Sequence, residues 1–321
     1  MAFAILVIAC GSPALSVRAE AAAPDALDAT IREWMALNRV TKAGLAVMKD
    51  GTLAKSYDHG GWTAAQPQVI ASLSKAITAV CIARLIDQGR LSFATTLGQV
   101  LGKQFQALGE PVDPRFKTIT IEQLLTHRSG MVRDSGALDT AIGMTDLFAS
   151  VLRLRLAAAP GSAMSYSNIG YLTLGIVVEA VTGSDYESYC RRTVLEPLGV
   201  AGSIDPDERP GAPVGGWLIS PIDYAKFAQL FAPRATLLGP VSRAWLDSRI
   251  AASAYGLGVF TRRTAKGVVF WHEGKFGTPP AGAYFVKLDN GWTVVLAYGG
   301  IVSADASQDL ARRIAQWAGR G

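Results

Sequence analysis

The stretch QVIASLSKAITAVCIARLIDQG, residues 68–89, decides how the chain is read. Gln68 to Ala71 predicts a short strand. The spacing then turns helical from about Ser72 to Gln88 and stops at Gly89, a residue suited to the left-handed turn that ends helices. The helix opens on Ser72-Leu73-Ser74-Lys75. Positions i and i+3 share a helix face, so a hydroxyl and an amine meet one turn apart. At a helix N-terminus the serine N–H is free to donate to an oxyanion, and the dipole favours negative charge there. A lysine in a dry cleft can lose its proton near neutral pH and act as the serine's base. The same residues also read as a capping serine beside a solvated lysine, because a chain this long contains about one S-x-x-K by chance.

Strand patterns lie on both sides of this segment. Upstream, Asp25 to Val40 reads as an amphipathic helix with Leu27, Ile31, Trp34 and Leu37 on one face. Gly44–Met48 and Thr52–Tyr57 read as a hairpin turning at Asp50-Gly51. Downstream, Thr118–His127, Thr140–Leu156, Asn168–Val181, Tyr186–Leu195 and Pro221–Phe231 show helical periodicity. The β pattern returns in Tyr255–Arg262, Gly267–His272, Gly282–Leu288 and Trp292–Tyr298, with a turn at Asp289-Asn290-Gly291, and a last helix covers Ala304–Ala318. Strands at both ends with helices between them predict an α+β fold, an antiparallel sheet flanked by helices with an inserted all-helical subdomain. The expected division is a leader at 1–23, a sheet domain from 24–92 with 235–321, and a helical insertion at 93–234. A substrate cleft is expected between the two halves.

Composition narrows the function. Of 321 residues half are apolar and 18% charged, the balance of a well-packed globular enzyme. The net charge of +5 is spread over single or paired basic residues such as Arg191-Arg192 and Arg262-Arg263, so no nucleic-acid partner is expected. Three histidines (His59, His127, His272) and three cysteines (Cys10, Cys81, Cys190) show no metal-ligand spacing, and neither metal nor cofactor is expected. Cys81 and Cys190 are expected as buried free thiols, with pairing open in an oxidising compartment. Residues 1–10 form a short apolar run followed by small residues suited to signal-peptidase cleavage, and Val7-Ile8-Ala9-Cys10 resembles a lipoprotein box. The expectation is a periplasmic or secreted monomer, with possible lipidation at Cys10 and no stable transmembrane anchor.

Two further constellations carry chemistry. Tyr166-Ser167-Asn168 lies between Pro160-Gly161 and an apolar helix. A phenol near a lysine ammonium can shuttle a proton, and an asparagine amide can bind a substrate carbonyl; equally, Tyr166 packs in the core and Asn168 caps the helix. His272-Glu273-Gly274 ends an apolar strand, where the histidine faces the nucleophile and the glycine lets substrate backbone approach the strand edge. Lys275 would offer an oxyanion N–H. His59-Gly60-Gly61 and Lys275-Phe276-Gly277 fit related patterns, but His272 follows directly on the strand run.

In the order S-x-x-K, Y-x-N, H-x-G, the sequence resembles the class C β-lactamase and DD-peptidase group of serine hydrolases, which includes many esterases. Thr118–Gly130, Pro160–Gly175, Val178–Gly183, Gly216–Lys226 and Tyr255-Gly-Leu-Gly258 resemble the group's signatures. The resemblance covers roughly residues 40–315. It implies a β-lactamase/transpeptidase-like fold, Ser72 as nucleophile, Lys75 and Tyr166 as the proton-transfer pair, and Asn168 as a substrate contact. It also implies His272 in the third-motif position and oxyanion donors on Ser72 and Lys275. His127 is expected to hydrogen-bond locally.

The third motif departs from the Lys-Thr-Gly of efficient β-lactamases. Glu273, if its side chain faces the cleft, would repel anionic substrates, and His272 would be only partly charged near neutral pH. Both departures point to neutral esters, amides or cell-wall peptides. The competing reading is a penicillin-binding sensor that acylates without turnover.

Overall fold

A computed structural model describes residues 23–132, 143–204, 210–252, 254–277 and 279–319. Residues 1–22 of the expected leader, with the Cys10 lipobox, lie outside them, as do residues 140–142 of the expected 140–156 helix.

The chain opens with α1 (Pro24–Leu37), then β1 (Ala43–Lys49), β2 (Thr52–His59) and β3 (Gln68–Val69). Next come α2 (Ser74–Asp87), α3 (Leu97–Val100), α4 (Gly102–Leu108), α5 (Ile121–Leu125), α6 (Met144–Leu152), α7 (Asn168–Thr182) and α8 (Tyr186–Cys190). Two short strands, β4 (Ser203–Ile204) and β5 (Trp217–Ile219), precede α9 (Pro221–Phe227) and α10 (Pro240–Ala251). The chain ends with β6 (Phe260–Arg263), β7 (Val268–Phe276), β8 (Ala281–Lys287), β9 (Trp292–Gly299) and α11 (Ala304–Ala318).

The main sheet is antiparallel in the order β2-β1-β9-β8-β7-β6, so its two ends in sequence meet where β1 pairs with β9. The β1–β2 turn has φ of 50° at Asp50 and 82° at Gly51, the two positive values a type I′ turn requires. One sheet face packs on α1 and α11 through Leu45, Val47, Tyr284, Leu296, Trp34, Leu310 and Trp317. The other shares a continuous core with the helices through Met48, Phe270, Phe285 and Val295. These structures make up the β-lactamase/transpeptidase-like fold.

α2 runs through the middle of that second core with almost every residue buried, as its apolar composition on all sides requires. Cys81 on α2 is bonded to Cys190 at the end of α8, with Cα atoms 5.5 Å apart. The expectation of free thiols is thereby corrected: two helices distant in sequence pack side by side, and spacing along the chain cannot reveal that. One other expectation shifts at its edge, and one helix, α10, was not expected. The strand expected over 255–262 pairs regularly only from Phe260, because Gly256 and Val259 close a tight bridge before it. α10 carries no strong apolar stripe in sequence; buried Ser242, Leu246 and Ile250 seat it.

Candidate active site

Ser72 sits at a forced turn. After β3, Ile70 N–H bonds Trp217 O (3.1 Å), and Ala71 then adopts φ 46°, a left-handed conformation costly for a residue with a Cβ. A 3₁₀ turn over Ala71–Leu73 follows, and regular α-helix begins only at Ser74. The expected helix start at Ser72 therefore moves by two residues, because the chain leaves a strand and enters a helix with no loop between. Lys75, in the first turn of α2, lies three residues on from Ser72 and so on the same side of the chain.

Lys75 is wholly buried, whereas Ser72 keeps partial exposure. Lys75 Nζ donates to Ser72 Oγ at 3.0 Å and to Val214 O at 2.9 Å. It lies 5.1 Å from the ring centroid of Tyr166 and 5.9 Å from that of Tyr171. Val214 escaped the sequence reading because it acts through its carbonyl. The segment around it is held against α2 by Thr78, which donates to Pro213 O (2.7 Å) and meets the Tyr186 hydroxyl (2.6 Å).

β6 pairs with β7 only as far as Trp271, so residues 272–276 of β7 turn a free edge toward the Ser72 turn. A Cβ on Gly274 would stand 2.8 Å from Ser72 N, Ile70 O and Ala71 Cβ, which explains the glycine. Alternation along the strand then sorts the third motif. His272 is buried toward the helices. Glu273 and Lys275 are exposed, and the Glu273 charge is felt by Tyr284 and Tyr298 on the α1/α11 face. The side chain of Glu273 therefore does not face the cleft.

His272 is 2% exposed, and burial, reinforced by the charge of Lys75, pushes its pKa down to about 3. The neutral ring donates from Nδ1 to Glu273 O (2.6 Å) and accepts the Tyr255 hydroxyl at Nε2 (3.2 Å). The expectation of a partly charged histidine is corrected: the third motif supplies no cation. Tyr255 was legible only as part of a familiar stretch and not as the partner of His272.

Tyr166 and Asn168 are both half-buried, Tyr166 with its ring 6.0 Å from that of His272. Ser167, not Asn168, caps α7, its Oγ accepting from Gly170 N–H (3.2 Å). Ser72, Lys75, Tyr166, Asn168, His272 and Gly274 thus come from the Ser72 turn, the start of α7 and the free end of β7. His59 is elsewhere, 2.9 Å from Asp28 of α1.

The Beta-lactamase family model matches residues 27–316. The chain belongs to the Beta-lactamase family. Protein flp of Staphylococcus aureus (strain COL) is 28% identical over 184 residues, covering 54% of this chain and 36% of flp. The match thus spans little more than a third of that longer relative. Penicillin-binding protein 4 of Amycolatopsis lactamdurans is 28% identical over 262 residues, 67% of each chain. A solved class C β-lactamase superposes with a TM-score of 0.75 at 17% identity, covering 91% of this chain and 95% of that one, a likeness of fold.

In this Beta-lactamase family chain, His127 does more than its motif suggested. Its backbone O accepts from Ser165 N–H (2.8 Å) and its Nδ1 from Ser167 N–H (3.1 Å), so it grips the backbone on both sides of Tyr166. The two rings lie 4.3 Å apart. His127 adopts φ 55°, and burial, with smaller contributions from Lys75 and His272, holds its pKa well below the ordinary histidine value. A neutral ring keeps Nδ1 free to accept, and the proton sits on Nε2.

Proposed function

We propose that this chain is a serine hydrolase that works through an acyl-enzyme on Ser72, with neutral esters and amides ahead of D-amino-acid peptides and β-lactams as substrates. The carrying observation is the 3.0 Å contact between a fully buried Lys75 and a partly exposed Ser72. Ser72 Oγ attacks the acyl carbonyl while its proton passes to the Lys75–Tyr166 pair. The backbone N–H groups of Ser72 and Lys275 hold the resulting oxyanion, and Asn168 binds the acyl side. The pair returns the proton to the departing alcohol or amine; water then repeats the sequence and frees the acid. An amine in place of water makes the enzyme a transferase.

A neutral His272 and an outward Glu273 leave the third motif without charge toward the cleft, which supports neutral esters and amides over substrates that carry a carboxylate, D-Ala-D-Ala peptides and β-lactams alike. The Cys81–Cys190 disulfide supports a periplasmic or secreted location.

Intact-mass measurement after exposure to a p-nitrophenyl ester, a D-Ala-D-Ala peptide and a penicillin tests the reading. Acyl adducts that form and clear in the native chain and are absent in Ser72→Ala are expected. Labelling that persists in Ser72→Ala would place the nucleophile elsewhere, and a penicillin adduct that never clears, with no ester turnover, would make the protein a sensor.

A further inference from the structure

At the other end of β7, about 20 Å from Gly274 at strand rise, lies a cavity of about 1130 Å³. The β1–β2, β6–β7 and β8–β9 turns close one side, and α2, α10 and the segment between α9 and α10 close the other. Six cations line it: Arg84, Arg234, Arg243, Arg263, Lys266 and Lys287. Three carboxylates join them, Asp50, Asp247 and Asp289. Asp50 stands 3.9 Å from Lys49, and Asp289 accepts from the Thr264 hydroxyl.

Five of the six cations make no direct ion pair. Among the described residues Arg84, Arg234, Arg243, Lys266 and Lys287 form no ion pair, while Arg32, Arg115, Lys226 and Arg313 elsewhere do. Arg84 donates to Leu237 O (2.6 Å), and Arg243 to Leu230 O (3.0 Å) and Ala235 O (3.3 Å). Lys287, only 9% exposed, donates to Gln229 Oε1 at 3.1 Å. Their hydrogen bonds go to neutral oxygens, the charge of Asp247 reaches Arg243 without a direct ion pair, and burying an ammonium is costly. Burial lowers the Lys287 pKa, with the charge of Asp50 opposing that shift.

We infer that this cavity binds a multivalent oxyanion of the phosphate class, with Lys287 and Arg243 at its inner end and Arg234, Arg263 and Lys266 at its exposed rim. Guanidinium forks match phosphate oxygens in pairs, and the inner lysine adds a point charge. The shared chemistry serves a small free phosphate compound and a phosphate-bearing polymer alike.

Titration calorimetry of the full chain with inorganic pyrophosphate, and separately with long-chain polyphosphate, tests the inference. Saturable one-site binding of pyrophosphate is expected. The Kd should weaken at least tenfold in Arg243→Gln and Lys287→Gln and about threefold in Arg234→Gln, with each variant's fold checked by circular dichroism. Polyphosphate binding that pyrophosphate competes away, and that is tighter per site, would identify a polymer; tighter pyrophosphate binding would identify a small free ligand. The rim variant keeps the test decisive if the inner variants fold poorly. No saturable heat, the same response to sulfate at matched ionic strength, or wild-type affinity in both Arg243→Gln and Arg234→Gln would overturn the inference.

Discussion

Two lysines, Lys75 and Lys287, are buried among the described residues. Lys75 touches a hydroxyl that can give up a proton, a backbone carbonyl and the face of Tyr166. Lys287 touches an amide oxygen and borders an open cavity lined by cations. Both amines are taken out of water by burial. The difference lies in what surrounds the amine: beside a hydroxyl it is arranged for proton transfer, and in a cavity where cations outnumber carboxylates it is arranged to receive an anion. Burial alone therefore does not define a catalytic lysine; the atom at hydrogen-bond distance does.

Replacing each amine by an apolar chain of similar length breaks the comparison most directly. Lys75→Met should lower kcat for a p-nitrophenyl ester by at least about a thousandfold while leaving the melting temperature unchanged or raised, since a buried charge is removed. Near-wild-type turnover would return Lys75 to a structural role.

A smaller effect is expected at His127, which acts on Tyr166 through the backbone. His127→Leu should lower kcat about tenfold per active site titrated with a fluorophosphonate, with KM little changed. His127→Asn places an acceptor near the Nδ1 position and should recover most of the loss. Equal kcat per titrated site in wild type and His127→Leu would reduce the residue to packing.

Acid melts sharpen the contrast between Lys75 and its neighbours. His272 titrates near 3 in the folded chain and near 6.5 when unfolded, so between those values the unfolded chain binds the extra proton. Stability should rise with pH across that window and fall on acidification, with His127 acting in the same direction. His272→Gln should flatten the melting curve between pH 6.5 and pH 4; an unchanged slope would mean that His272 titrates near its ordinary value.

The smallest effect is expected at Lys287→Met, a rise in melting temperature of a few degrees in phosphate-free buffer. A marked loss would show that the Gln229 contact stabilises the fold.

Much of the layout was legible because short-range rules produce it. Asp50-Gly51 made its turn where two positive φ values were needed. The apolar runs of β8 and β9 became fully buried strands, and the Ala304–Ala318 helix formed over the expected residues. The candidate site was legible through ordered motifs, which the fold then brought together at the Ser72 turn. The other details depended on neighbours distant in sequence. Val214 contributes a carbonyl, Tyr255 a hydroxyl to His272, and Cys190 a sulfur to Cys81.

The sequence by itself determined the α+β order, the family and the residues that carry the three motifs, because periodicity, turn chemistry and motif spacing are properties of neighbouring residues. Only the tertiary structure decided the charge state of His272, the outward side chain of Glu273, the disulfide and the cation-lined cavity. Burial and the distance to groups across the fold set each of these, and neither is written in the order of residues along the chain.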